Sequence, residues 1–240
     1  CVQPGEDQRV RDFQALYARG CGRHHQAREG DLMNDVLHGF QNVCDKNALQ
    51  ENLTFIALYI GLYESFADTV ESHVESFFCN DAFLDKNGKI RYKPSEEYVE
   101  EIKNRSVDDK GNHNTLKSTM LWFVENGALT QDDYRLFLEL KQLRNSFAHK
   151  MTKYLWSGLY EEHAKALGDL LSLYRKIERW WIVEIEIPIA GNDVPEGYDA
   201  DGVTSGILLT FDMMINTLYN GKSEDYLQII RDLQTKDRGI

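Results

Sequence analysis

The sequence predicts an all-α protein, on three observations. Prolines are scarce, four in 240 residues, and Pro94, Pro188 and Pro195 fall in segments that read as loops. Long proline-free stretches suit helices, because an internal proline removes a backbone donor and clashes with the preceding turn. Leu49, Leu53, Ile56, Ile60, Tyr63, Ala67, Val70, Val74 and Phe77 recur at steps of three and four, one apolar stripe along a helix of about thirty residues. Leu136, Leu140, Leu143 and Phe147, then Leu159, Ala166, Leu170, Leu173 and Ile177, repeat that spacing further on.

The elements follow in order. Asp31 is placed to cap a helix carrying Leu32, Val36, Phe40 and Val43. The long stripe forms the spine, and Phe55, Tyr59, Leu62 and Phe66 add a second stripe beside it. Asn87-Gly88, between Phe83-Leu84 and Ile90, predicts a small hairpin within an insertion at about 80–114. A short helix is expected over 96–104, a polar loop over 108–114 and a helix over 115–127. Thr130 opens the next helix, with Asp132 and Asp133 in its first turn where the helix dipole favours acids. A break is expected near 152–157, and then a long helix reaching about residue 185. Seven acids and no Lys or Arg lie between Trp180 and Gly221. A loop over 191–202 and closing helices over 206–219 and 223–235 complete the chain. The expected organisation is an N-terminal helical segment (1–47), a helical core (48–187), and an acidic loop with helices packing on that core (188–240).

Hydrophobic residues make up 42% of the chain, enough for a core. Cys1, Cys21, Cys44 and Cys79 form no CxxC pair, which fits reduced thiols in the cytoplasm. No secretory signal is visible, and the strongest apolar run, 55–63, is shorter than the ~20 residues of a membrane helix. A formal net charge of −12 argues against generic nucleic-acid binding while leaving room for a small basic site. No Walker loop, dinucleotide turn, GxSxG elbow or HExxH occurs, so most common enzyme classes lose support.

One such basic site stands out. Residues 141–153 hold Lys141, Arg144, Lys150 and Lys153 and no acid. The plain reading is a solvated helix face. The order Arg144-Asn145-Ser146-Phe147-Ala148-His149, within LKQLRNSFAHK and between two helices, resembles the R-x4-6-H signature of the HEPN superfamily. The resemblance covers best the core, about 49–187. It implies a helical bundle with long antiparallel helices, a homodimer, and a metal-independent endoribonuclease needing no cofactor. Toxins of toxin–antitoxin pairs and abortive-infection proteins belong to that family, so an antitoxin or defence-system partner and a role against phage are implied too.

The chemistry fits RNA, which carries its own nucleophile, the 2′-OH. Cleavage needs a proton acceptor or donor and a fixed positive charge beside the phosphate. His149 supplies the first, since imidazole titrates near neutral pH. Arg144 supplies the second as a permanently charged fork. Asn145 is placed to orient the imidazole or hold the phosphate, with Lys141, Ser146, Lys150 and Lys153 binding the strand. The expected products are a 2′,3′-cyclic phosphate and a 5′-OH end. At ~100° per residue, Arg144 and His149 lie ~140° apart around a straight helix, whereas Asn145 and His149 share a face. Either the helix ends near His149 or two motifs meet across a two-fold axis, and the resemblance favours the second. HEPN toxins paired with a nucleotidyltransferase antitoxin carry a tyrosine two positions after the His. Here that position is Met151, so control by that route is not expected.

Other residues admit two readings. Cys21, His24 and His25 suit a polar loop better than zinc, having no second ligand pair at metal spacing. Asp199 and Asp201 before Gly202 lack the rest of a calcium loop. Glu64, Asp68, Glu71 and Glu75 form a polar helix stripe, or else Glu64 or Asp68 positions Arg144. Trp180-Trp181 reads as core rather than a base-stacking platform, and His163 is a candidate to line the cleft.

Overall fold

The computed structural model describes residues 31–79, 81–108, 110–191 and 204–219, together with Gly197, Gly202 and Gly221. Cys21, His24, His25, Asp199, Asp201 and the expected helix over 223–235 lie outside the described residues. The described chain is mainly helical, as its periodicity requires. Its α-helices are α1 (Asp31–Cys44), α2 (Lys46–Phe77), α3 (Glu96–Tyr98), α4 (Thr115–Glu125), α5 (Gln131–His149), α6 (Met151–Ser157), α7 (Glu161–Trp181), α8 (Ile187–Ala190) and α9 (Gly206–Tyr219). A π-helical turn over Val99–Lys103 extends α3, and another over Ile182–Glu186 joins α7 to α8. The strands β1 (Asp81–Leu84) and β2 (Ile90–Lys93) pair antiparallel, Leu84 opposite Ile90 and Asp81 opposite Lys93. Asp85 Oδ1 accepts the Asn87 and Lys89 amides in the turn, and Gly88 takes φ 73°, a conformation open to glycine at no steric cost.

The described residues divide into two units: 31–56, 150–171 and 204–221 in one, 57–149 and 172–191 in the other. In the second unit, Tyr59 meets Phe147 edge-on and Phe66 meets Phe137, so α2 runs antiparallel to α5. Thr69 bonds Tyr174 and His73 bonds Glu178, so α2 runs parallel to α7. Tyr59, Leu62, Phe66, Val70, Val74, Met120 and Phe123 are fully buried, as are Phe137, Phe147, Tyr174 and Ile177. Each such side chain contributes about 1.5–3 kcal/mol of burial. Thr130 caps α5: its Oγ1 accepts the Asp133 amide at 3.2 Å while Asp133 Oδ2 accepts the Thr130 amide at 2.7 Å.

In the first unit α1 lies against α6. Phe40 meets Trp156 edge-on with ring centres 5.1 Å apart, and Asn42 Nδ2 donates to the Trp156 carbonyl at 2.9 Å. Gly39 is buried beneath Trp156, and its missing side chain makes room for the indole. Leu208, Phe211 and Ile215 are the buried face of α9.

Several expectations need correction. The expected break at 152–157 is helix α6, and the interruptions flank it, at Lys150 (φ −128°, ψ 28°) and over 158–160, where Gly158 takes φ 75°. The helical spacing of α6 is weak, and the contacts of Trp156 with α1 supply what periodicity does not. On α2 the secondary stripe of Phe55, Tyr59, Leu62 and Phe66 is fully buried, whereas Leu53 and Phe77 of the primary stripe are 40% and 46% exposed. On α5 the core residues include Phe137, while Leu136 and Leu143 are only half-buried. Pro188 is helical after all, in α8, directly after the π-helical turn that continues α7. By length and composition α2 could cross a membrane, with a stretch of mean hydropathy 1.2, because the run at 55–63 is embedded in a longer moderately apolar helix. Phe55, Ile56, Tyr59, Leu62, Phe66, Val70 and Val74 among its apolar side chains are fully buried core residues of this fold.

Candidate functional site

Helix α5 carries Lys141 and the whole Arg144–His149 motif without a break and stops at His149, leaving Lys150 and Lys153 beyond it. Its register is fixed from below by buried Phe147 and Leu140, whose carbonyl accepts the Tyr59 hydroxyl at 3.1 Å. Arg144, Asn145, Ser146 and His149 therefore leave the helix on its half-exposed and exposed sides.

Arg144 is engaged. Its Nε donates to Glu64 Oε1 at 2.5 Å, its Nη2 pairs with the same carboxylate, and its Nη1 donates to Asn145 Oδ1 at 3.0 Å. The Arg144 side chain is 29% exposed and that of Glu64 51%, so solvent screens the pair and ligands can reach it. Of the two acids considered on the spine helix, Glu64 is the one that holds Arg144.

Lys141 is tied down as well. Its Nζ donates to Asn114 Oδ1 at 3.3 Å and lies 5.9 Å from the centre of the Phe137 ring. Burial, reinforced by Lys117, pushes its ammonium below the ordinary lysine range despite Glu71 nearby. The same Asn114 oxygen caps α4 by accepting the Lys117 amide. Lys141 is thus partly a structural group.

Ser146 is half-buried; Asn145 and His149 are exposed, His149 as the last residue of α5. Lys150 and Lys153, also exposed, belong to the first unit at the start of α6. Because α5 is regular from Arg144 to His149, the two side chains diverge by ~140° around the axis and sit ~7.5 Å apart along it. The structure brings together Arg144, Asn145 and Glu64, and holds Lys141 on Asn114.

The sequence did not single out Tyr63 as a site residue. It is 3% exposed, next to Glu64 in the chain, and its hydroxyl has no hydrogen-bond partner among the described residues. Burial raises its pKa strongly, and the nearby Arg144 guanidinium offsets only part of that. The only trace in the sequence is a tyrosine where a plain apolar residue would serve the stripe.

Trp181 is 4% exposed and stacks on His73, with ring centres 4.4 Å apart, and Trp180 packs against Trp122 and Phe123. This pair is core. His163 is buried, and its Nδ1 accepts the Tyr160 amide at 2.8 Å at the start of α7. Among the described residues no three His, Cys, Asp or Glu side chains converge as a metal ion requires. Scanned against protein-family models, curated proteins and solved structures, the chain finds no match.

Proposed function

We propose that the protein is a HEPN-type, metal-independent endoribonuclease whose site is assembled from two copies of the Arg144–His149 motif. The observation that carries this reading is the motif at the end of α5. A guanidinium is held by Glu64 and Asn145, an exposed imidazole lies just over one turn on, and no acid occurs in residues 141–153. Within one chain the two groups diverge, and a second copy related by a two-fold axis brings His149 of one motif to Arg144 of the other. In that cleft His149 moves the proton of the 2′-OH or of the leaving 5′-oxygen. Arg144 stabilises the charge that builds on the phosphate, and Asn145 holds one of its oxygens or the imidazole. Ser146 and Lys141 flank the cleft, and Lys150 and Lys153 draw in the strand. A role as a toxin or in phage defence, with an antitoxin or defence-system partner, belongs to the same proposal.

The ion pair itself favours a second reading. Glu64 neutralises Arg144, as it would in a helical module that binds RNA, nucleotide or a partner protein without cutting. The test is incubation of a mixed RNA pool in EDTA with wild type, Arg144→Ala and His149→Ala. Cleavage by wild type alone, leaving cyclic-phosphate and 5′-OH ends, supports the ribonuclease. RNA binding without cleavage supports the idle module.

A further inference from the structure

A pocket of about 500 Å³ opens in the second unit, away from the Arg144 motif in sequence and opposite to it in charge. Its floor is aromatic. Phe77, Phe78 and Trp122 line it, with Phe77 5.3 Å from Phe78 and 5.5 Å from Trp122 between ring centres. Trp122 and Phe78 are buried, whereas Phe77 is 46% exposed, a large apolar surface left wet. Glu97, Glu101 and Glu125 form its walls. Glu125 is neutralised by Arg105, which donates from Nη1 to Oε2 at 2.8 Å and from Nη2 to Oε1 at 2.6 Å. Glu97 and Glu101 have no hydrogen-bond or ion-pair partner among the described residues.

These two acids stand four residues apart on the α3 segment, so their like charges repel along one helical face. Asn126 completes the lining. Its Nδ2 donates to the Trp122 carbonyl at 2.8 Å, which leaves its Oδ1 as an acceptor. The pocket therefore offers two carboxylates without a direct hydrogen-bond or ion-pair partner among the described residues, Glu101 lying within the field of the Arg105 guanidinium, together with a carbonyl acceptor and an aromatic floor. It is within the ~300–1,000 Å³ range of small-molecule sites. Anions, RNA included, are repelled by it. A bare metal ion finds no convergent set of three ligands among the described residues. An alkylamine satisfies every part: ammonium groups between the carboxylates and over the rings, methylenes on the aromatic faces.

We propose that this pocket is a binding site for a small organic polyamine, with Glu97 and Glu101 as its anionic partners and Phe77 and Trp122 as its floor. The site is independent of the ribonuclease reading. The experiment is calorimetric titration of the full chain with spermidine at ~150 mM salt, a concentration that screens diffuse surface attraction. One saturable site is expected. Glu97→Gln combined with Glu101→Gln weakens it at least tenfold while the melting temperature stays level or rises, because repulsion is relieved. Phe77→Ala, at a half-exposed position, weakens it several-fold, and hexane-1,6-diol does not compete. Absence of saturable binding would overturn the proposal. So would affinity unchanged in the double Gln variant, or several weak sites abolished by salt.

Discussion

Glu64 holds Arg144 across eighty residues of chain, taking both its Nε and its Nη2, while Asn145 takes Nη1. The guanidinium is thus aimed before any ligand arrives, and its charge is partly spent. Because both side chains face solvent, the pair contributes only about 0–1 kcal/mol to stability. Glu64→Gln should therefore shift the melting temperature little. On the ribonuclease reading it should tighten RNA binding several-fold, since phosphate no longer competes with a carboxylate. A filter-binding titration against wild type checks this. Unchanged or weaker binding would mean that Arg144 does not meet phosphate.

The composite cleft makes a sharper demand. Arg144→Ala and His149→Ala are each expected to be inactive alone. In a mixed dimer one intact Arg144 and one intact His149 remain, and they can face each other across the two-fold axis. Mixing the two inactive proteins, with time for subunit exchange, should restore a fraction of RNA cleavage. A mixture as dead as its components, under conditions where exchange is demonstrated, would rule out the shared site.

Tyr63 is a cost within the fold. Its buried hydroxyl has no partner among the described residues, and a desolvated polar group left unpaired costs about 1–3 kcal/mol. Tyr63→Phe removes the hydroxyl and keeps the ring, so stability should rise by about 1 kcal/mol, roughly 2–4 °C in melting temperature for a chain of this size. A fall instead would show that the hydroxyl is satisfied in solution. A gain in stability together with a loss of RNA binding would mark Tyr63 as a group held ready for ligand.

How much was legible in the sequence follows from which forces are local. The helices show because burial of one face imposes a period, and the hairpin shows because Asn87-Gly88 suits a tight turn. Helix α6 did not show, because it depends on Trp156 fitting over Gly39, a contact more than a hundred residues distant. On α2 the two stripes together mark the wide buried face, but the period does not locate its centre, so exposed Leu53 and Phe77 fall in line with buried Ile56, Val70 and Val74. At the site, Arg144, Asn145 and His149 were readable as a motif, and Glu64 as one of two acids at helical spacing. Tyr63 was not, because an orphaned hydroxyl is defined by its surroundings. The pocket under Glu97 and Glu101 joins α2, α3 and α4, and no linear pattern announces such a meeting.

Two glycines give substitutions of opposite sign. At Gly39 an added Cβ would fall within the Trp156 indole, and that ring, though 39% exposed, would have to leave its edge-on seat against Phe40. Gly39→Ala should destabilise by about 1–3 kcal/mol through overpacking. At Gly61, on an exposed part of α2, an added Cβ meets nothing within 4 Å. Gly61→Ala should stabilise by about 0.5–1 kcal/mol, the ordinary helix preference. Denaturant unfolding of both variants tests the pair. A neutral Gly39→Ala would mean that α1 and α6 do not pack in this register.

His163 predicts the pH dependence. Burial is the main cause that lowers its pKa below the ordinary 6.5, and it outweighs the attraction of nearby Glu162. The neutral ring accepts the Tyr160 amide through Nδ1, whereas a protonated ring carries a hydrogen on that nitrogen and loses the contact. The unfolded chain therefore binds a proton more readily than the folded one, so stability rises with pH through this window. The contribution is complete above the unfolded pKa of 6.5 and is lost as pH falls through the lower folded value. The melting temperature should accordingly drop as pH is taken from 7.5 down past 6.5. His163→Gln keeps an acceptor at that place without a titrating ring, and should flatten the slope in this range while leaving the steeper carboxylate-driven loss at lower pH. An identical slope in both proteins would place the titration elsewhere and leave His163 outside the acid response.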